Sequence, residues 1–198
     1  MARSFAQEAK KSEVNVIRYR GREVYEVQNA TIAWHDFSGN RWKEGGTRNF
    51  TLALPEKAAK KLMDLGCNVK LNEPKTDEGE PWYGLRIILS FAHKDWFPVD
   101  IQTVSTWNGK ESVVSYEENM LGGIDVSLTN GEVERADLMF NLAPNNNPTQ
   151  MNPYKYTAYL VDLTLTLTPS VKYGGRYDGL ERSDYVPPID DDEDDLPF

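Results

Sequence analysis

The chain has 198 residues, which suits one domain of ordinary size. Hydrophobic residues make up 39% of it, enough for a core, and no run approaches the roughly 18 consecutive apolar residues of a membrane-spanning helix. The formal charge of −9 argues at first against a nucleic-acid binder. However, the six consecutive acids from Asp190 to Asp195 supply −6 of it and leave −3 on residues 1–188, a body with room for local basic surfaces.

In chain order, residues 1–12 read as a flexible arm with solvated Lys10 and Lys11. Their composition lacks the apolar core of a secretory signal. The segment VNVIRYRGREVYEV alternates Arg18, Arg20 and Arg22 on one face if the strand is unbroken, a row suited to phosphates or to a charged sheet edge; Gly21 is where it would break. Strands follow in QNATIAW, with Ala30, Ile32 and Trp34 on one face, and in RNFTLAL, with Phe50, Leu52 and Leu54 on one face. A helix is expected over 55–65, opened by Pro55 and closed by Gly66, with Ala58, Leu62 and Leu65 at i, i+4, i+7.

GLRIILSF directs Leu85, Ile87, Leu89 and Phe91 inward and Arg86 outward. Asn108-Gly109 predicts a hairpin joining VSTW to KESVVSY, and Asn130-Gly131 a second joining IDVSLT (Ile124, Val126, Leu128 on one face) to EVERADLMF. The clearest strand is 159–168, with Val161, Leu163, Leu165 and Leu167 facing one way and Asp162, Thr164, Thr166 and Thr168 the other. Residues 171–198, with Gly174, Gly175, Gly179, Pro187, Pro188 and the acid run, hold too little apolar surface to offset ordering and read as a disordered acidic tail. The sum is a mainly β domain over 13–170, an OB-fold-like Greek-key barrel with extra hairpins and one short helix.

Aromatic residues make up 11% of the chain, and many sit beside turns and cations. Phe37 and Trp42 flank a Gly-rich loop with Arg41 and Lys43; Trp82 and Tyr83 precede Arg86; Trp96 and Phe97 follow Lys94; Trp107 and Lys110 share a hairpin tip. Rings interleaved with cations are what a groove for a single strand needs, because bases stack on the rings and cations follow the phosphates. Arg48 joins the expected phosphate contacts. A β core would also consume such rings, and Trp34 is the one expected inside, since it continues the Ala30/Ile32 face.

Catalytic constellations are thin. His35 and His93 are the only histidines, and Cys67 has no partner for a disulfide or a CxxC site, which fits a reducing cytoplasm. No phosphate-binding Gly-rich motif occurs, and His35-Asp36 is a weak metal pair. We expect no enzyme, no cofactor, no resident metal and no membrane association.

The tail has a second part. After Asp190, Asp191, Asp192, Glu193, Asp194 and Asp195 come Leu196, Pro197 and Phe198, a docking plug that acids steer to basic surfaces and a proline stiffens. This ending resembles the C-terminal tip of bacterial single-stranded-DNA-binding proteins and of their tailed-phage counterparts. The resemblance implies an OB-fold body that coats single strands without sequence preference during replication, recombination and repair. It implies a tail that recruits replication proteins and can compete with DNA for the groove. The alternatives are a strand-annealing or recombination-mediator protein, an acidic DNA mimic that inhibits a host protein, and an enzyme on a β-barrel core.

Overall fold

A computed structural model describes residues 4–40, 46–74, 79–92, 98–107, 110–149 and 153–168. The architecture is mainly β, a large mixed sheet with three short helices among the described residues. In chain order these are α1 (Phe5–Ala9), β1 (Glu13–Tyr19), β2 (Arg22–Gln28), β3 (Thr31–Asp36), β4 (Asn49–Leu54), α2 (Glu56–Leu65) and β5 (Val69–Asn72). They continue with β6 (Trp82–Ile88), β7 (Asp100–Trp107), β8 (Lys110–Ser115), α3 (Gly122–Thr129), β9 (Val133–Pro144) and β10 (Tyr156–Leu167). None of the helices is long and apolar enough to cross a membrane.

The pairings run round a ring. β9 pairs antiparallel with β10, β10 pairs parallel with β6, β6 antiparallel with β4, and β4 antiparallel with β3. β3 leads back into β2 through Asn29 and Ala30 alone, and β2 pairs with β9. Asn29 takes φ +52°, a conformation that asparagine tolerates better than most residues. Its N–H donates to Asp137 Oδ1 at 2.9 Å, and the Ala30 N–H donates to the Ala136 carbonyl at 2.7 Å. One bent segment therefore serves β9 with its first half and β4 with its second. Phe50, Leu52, Leu85, Ile87, Leu138, Phe140, Leu160 and Leu163 are buried in the single core that the ring encloses.

β10 changes neighbours halfway. Ala158 and Tyr159 pair with β6, whereas Asp162 to Thr166 pair with β7. The change coincides with a bulge: Leu160 faces Phe140 and Asp162 faces Met139, which leaves Val161 as the extra residue. Beyond it Leu163 and Leu165 are buried as the alternation predicts; before it the inward set is Ala158 and Leu160, displaced by one. β7 and β8 form the expected hairpin, with Trp107 opposite Lys110.

Five expectations are corrected. IDVSLT lies within helix α3, because six residues cannot distinguish the two periods: Ile124 is buried and Leu128 packs on the core one turn later, while Val126 points to solvent. Asn130-Gly131 then ends that helix, with Gly131 at φ +68°, rather than turning a hairpin. Residues 5–9 are a helix whose Ala6 and Ala9 pack on Ala33, Ala53 and Trp82, not part of a loose arm. The arginine row is broken, since Arg20 and Gly21 form the β1–β2 turn and only Arg18 and Arg22 lie in strands. In α2 the helix forms as expected, but the buried positions are Ala59 and Leu62.

Two carboxylates give the fold opposite responses to pH. Asp162 lies beside Asp100 on the neighbouring strand, and burial, then that like charge, pushes its carboxyl up against the opposing pull of Arg20. A raised value means that ionisation opposes folding, so Asp162→Asn should raise the melting temperature at pH 7, and the gain should vanish in acid, where the native side chain is itself protonated. Asp125 of α3 is the reverse case. Burial would raise it, but His35 Nδ1 (2.8 Å) and the N–H groups of Phe37 and Ser38 (2.9 Å each) outweigh burial and hold it below the ordinary 3.8. Its contribution is present above that ordinary value and is lost as pH falls through the lowered one. Asp125→Asn should cost about 1–3 kcal/mol at neutral pH, measured by denaturant unfolding, with the difference closing in acid.

Candidate nucleic-acid interface

Because the ring buries alternate residues of each strand, the residues between them share its outer face. Register places them side by side. Ala33 of β3 lies opposite Thr51 of β4, and Thr51 opposite Arg86 of β6. In the next row Asn49 lies opposite Ile88, Ile88 beside Tyr159 of β10, and Tyr159 opposite Asn141 of β9. Arg86 is exposed, whereas Asn49, Thr51, Ile88, Tyr159 and Asn141 are half-buried. Asn141 Oδ1 is buried without a hydrogen-bond partner among the described residues. These groups form a shallow surface of amides, a hydroxyl, one phenol ring and one cation.

One end of the surface is aromatic. Trp34 sits in a bulge of β3 between Ala33 and Asp36, at φ +44°, and is 53% exposed. Its indole is tilted against Trp82 at 5.0 Å, and Trp82 in turn contacts Phe5 of α1 at 5.1 Å. Trp82 is only 8% exposed and lies close to Gly84. A Cβ at Gly84 would come within 2.8 Å of Thr51 Cγ2 and Asn72 Nδ2 and 3.1 Å of the Trp82 ring, so the glycine is what lets that ring lie close to the sheet. Beyond Trp34 a groove of about 640 Å³ runs toward Ala30 and Ala136, with Lys11 and Arg135 among its walls.

The rim next to this face is held by Asp125. A carboxylate only accepts, so His35 Nδ1 carries the proton it donates. With the two backbone donors at Phe37 and Ser38, this contact fixes the path by which the chain leaves β3. Further round the rim, Arg48 lies just before β4 and donates from Nη1 to Glu118 at 2.8 Å, with its guanidinium 5.8 Å from the Phe91 ring centre.

The expected contacts divide. Arg86 lies on the outer face and Lys110 is exposed at the β7–β8 hairpin. Trp107 ends β7 opposite Lys110. Tyr83 packs partly against the core. Phe37 is fully buried and stacks on Phe50 at 5.3 Å, so it cannot meet a base. Trp82 is nearly buried, whereas Trp34, expected inside, is exposed; the β3 bulge exchanges their places. Arg48 is engaged by Glu118. Arg41, Trp42, Lys43, Lys94, Trp96, Phe97 and the whole run from Asp190 to Phe198 lie outside the described residues. Tyr159, Ile88, Asn49, Thr51 and Asn141 were not anticipated; for Tyr159 the only signal was hidden by the bulge that follows it. His35 is tied to Asp125, and among the described residues no group of three or more His, Cys, Asp or Glu is placed to hold a metal ion.

A solved structure of a single-stranded DNA-binding protein from bacteriophage Enc34, truncated at its C-terminus, is 12% identical, with a TM-score of 0.43; the alignment covers 81% of this chain and 97% of that one. No curated protein matches. The family described as "Putative phage ssDNA-binding domain" matches residues 14–177, a span that contains every strand of the ring, and the chain belongs to that family.

Proposed function

We propose that this protein is a non-enzymatic binder of single-stranded DNA, that its ring of strands is an OB-type barrel, and that the strand lies along the outer face of β3, β4, β6 and β10. One observation carries the reading: the exposed Trp34 ring and the exposed Arg86 guanidinium lie on the same face of the ring, in a chain of a phage ssDNA-binding family. A base stacked on Trp34 needs no particular identity, because every base has a π-face. Arg86 supplies the phosphate contact, and the side chains of Asn49, Thr51 and Asn141 supply hydrogen bonds to sugars and bases. This chemistry is independent of sequence and suits a protein that coats strands exposed in replication, recombination or repair.

The tail completes the proposal. Asp190 to Asp195 repel DNA and attract basic surfaces, and Leu196-Pro197-Phe198 offers an apolar plug to replication partners. Without DNA, the acids compete for the cations of the groove.

Tryptophan emission titrated with oligothymidine and with duplex tests the first part. Quenching by the single strand alone is the expected result; equal response to duplex would overturn it. Trp34→Ala should cost about 1–3 kcal/mol of binding, and Arg86→Ala should reduce the slope of log affinity against log salt by about 0.7. Deleting residues 189–198 should tighten oligothymidine binding at low salt and abolish capture of replication proteins. Unchanged affinity at low salt would sink the competition between tail and DNA.

A further inference from the structure

The outer face does not stop at the ring. The far edge of β6 is shared: Leu85 pairs with Val69 of β5, whereas Ile87 pairs with Ala158 of β10. Arg86 stands between the two, at the point where the face divides. The row that crosses to β10 holds Asn49, Ile88, Tyr159 and Asn141 and no cation. On the β5 side stands Lys70. Register sets it directly opposite Gly84, and directly opposed residues share a face of the sheet. That face is the outer one, because a Cβ at Gly84 would meet the Thr51 side chain and the Trp82 ring. The alternation of β5 agrees, since Val69 is buried in the core and Lys70 is exposed.

Arg86 follows Gly84 by two residues, so Arg86 and Lys70 are diagonal neighbours across an antiparallel pair, with Cα atoms about 7–8 Å apart. Both are exposed, and neither has an ion-pair partner among the described residues. Lys10, Arg48, Lys60 and Arg135, by contrast, each face a carboxylate. An unpaired cation keeps its charge available to a phosphate, and the flexible stem of a lysine can follow a backbone whose path varies. A lysine on an edge strand can also serve only to discourage pairing with another chain, a role that involves no phosphate. We propose that the single-strand track leaves the ring at Arg86 and continues onto β5, where Lys70 binds the phosphate next to the one held by Arg86. The backbone then runs along the β5 side of β6, and the uncharged row of Ile88 and Tyr159 is left to the bases. The proposal rests on the single-strand reading above.

The salt dependence of oligothymidine binding by the full-length protein tests this, because each phosphate neutralised on a single strand adds about 0.7 to the slope of log affinity against log salt. Lys70→Gln should lower the slope by about 0.7, and its combination with Arg86→Ala by about 1.4. Lys70→Arg keeps the charge and should keep the parent slope. Lys57→Gln and Lys61→Gln remove the same charge from α2, where both lysines line a separate cleft with Val14 and Val16 of β1, and should leave the slope unchanged. A parent slope in Lys70→Gln would overturn the proposal and leave Lys70 as an edge guard. An equal drop in Lys57→Gln and Lys61→Gln would also overturn it, because general electrostatics would then account for the effect. Failure of the unmodified protein to bind oligothymidine would instead overturn the single-strand reading itself.

Discussion

The ring of strands depends on one bend. Asn29 and Ala30 turn a single extended segment so that β2 can pair with β9 and β3 with β4. The bend is held from both sides, by the Asp137 carboxylate on the Asn29 N–H and by the Ala136 carbonyl on the Ala30 N–H. Two donors that a kink would otherwise leave without a partner in the sheet are thereby satisfied, and both bonds tie the bend to β9. Without the bend the sheet would end at β3 and β9, and the alternate residues of β4 and β6 would have no enclosed side to fill. The division into a dry inner face and a wet outer face follows from closure.

That division explains how much was legible in the sequence. β4, β6 and the second half of β10 obey strict alternation, and their inward residues could be named from spacing alone. The helix α2 was legible from Pro55 and Gly66. What spacing could not give were the places where alternation slips by one. The bulge at Val161 hides Tyr159, and the bulge beside Trp34 turns an apparent core residue outward. Phe37, just past that bulge, is drawn inward against Phe50 instead. Each slip changes which face a residue joins, and the candidate site lies where two of them occur. The helix α3 was illegible for another reason: its short apolar run satisfies both periods, and only the packing of Ile124 under the ring decides between them.

On the proposed reading, an acidic protein presents this face to a polyanion. Among the described residues, cations on the candidate track are few and placed, not massed. Arg86 stands in the open, whereas Arg48 is balanced by Glu118. An interface of this kind draws its affinity from rings and hydrogen bonds as much as from charge. It also avoids the indiscriminate attraction that a strongly basic surface has for any nucleic acid.

The change of neighbours along β10 separates the ring from the β7–β8 arm. β8 pairs only with β7, and β7 pairs with β10 only past the bulge. The hairpin is thus attached beyond the last contact between β10 and β6, and no pairing within the ring passes through it. Lengthening, shortening or exchanging this arm leaves the closed circuit of strands intact. The bulge at Val161 thus marks the boundary between the ring and an attachment that none of the ring's pairings depends on.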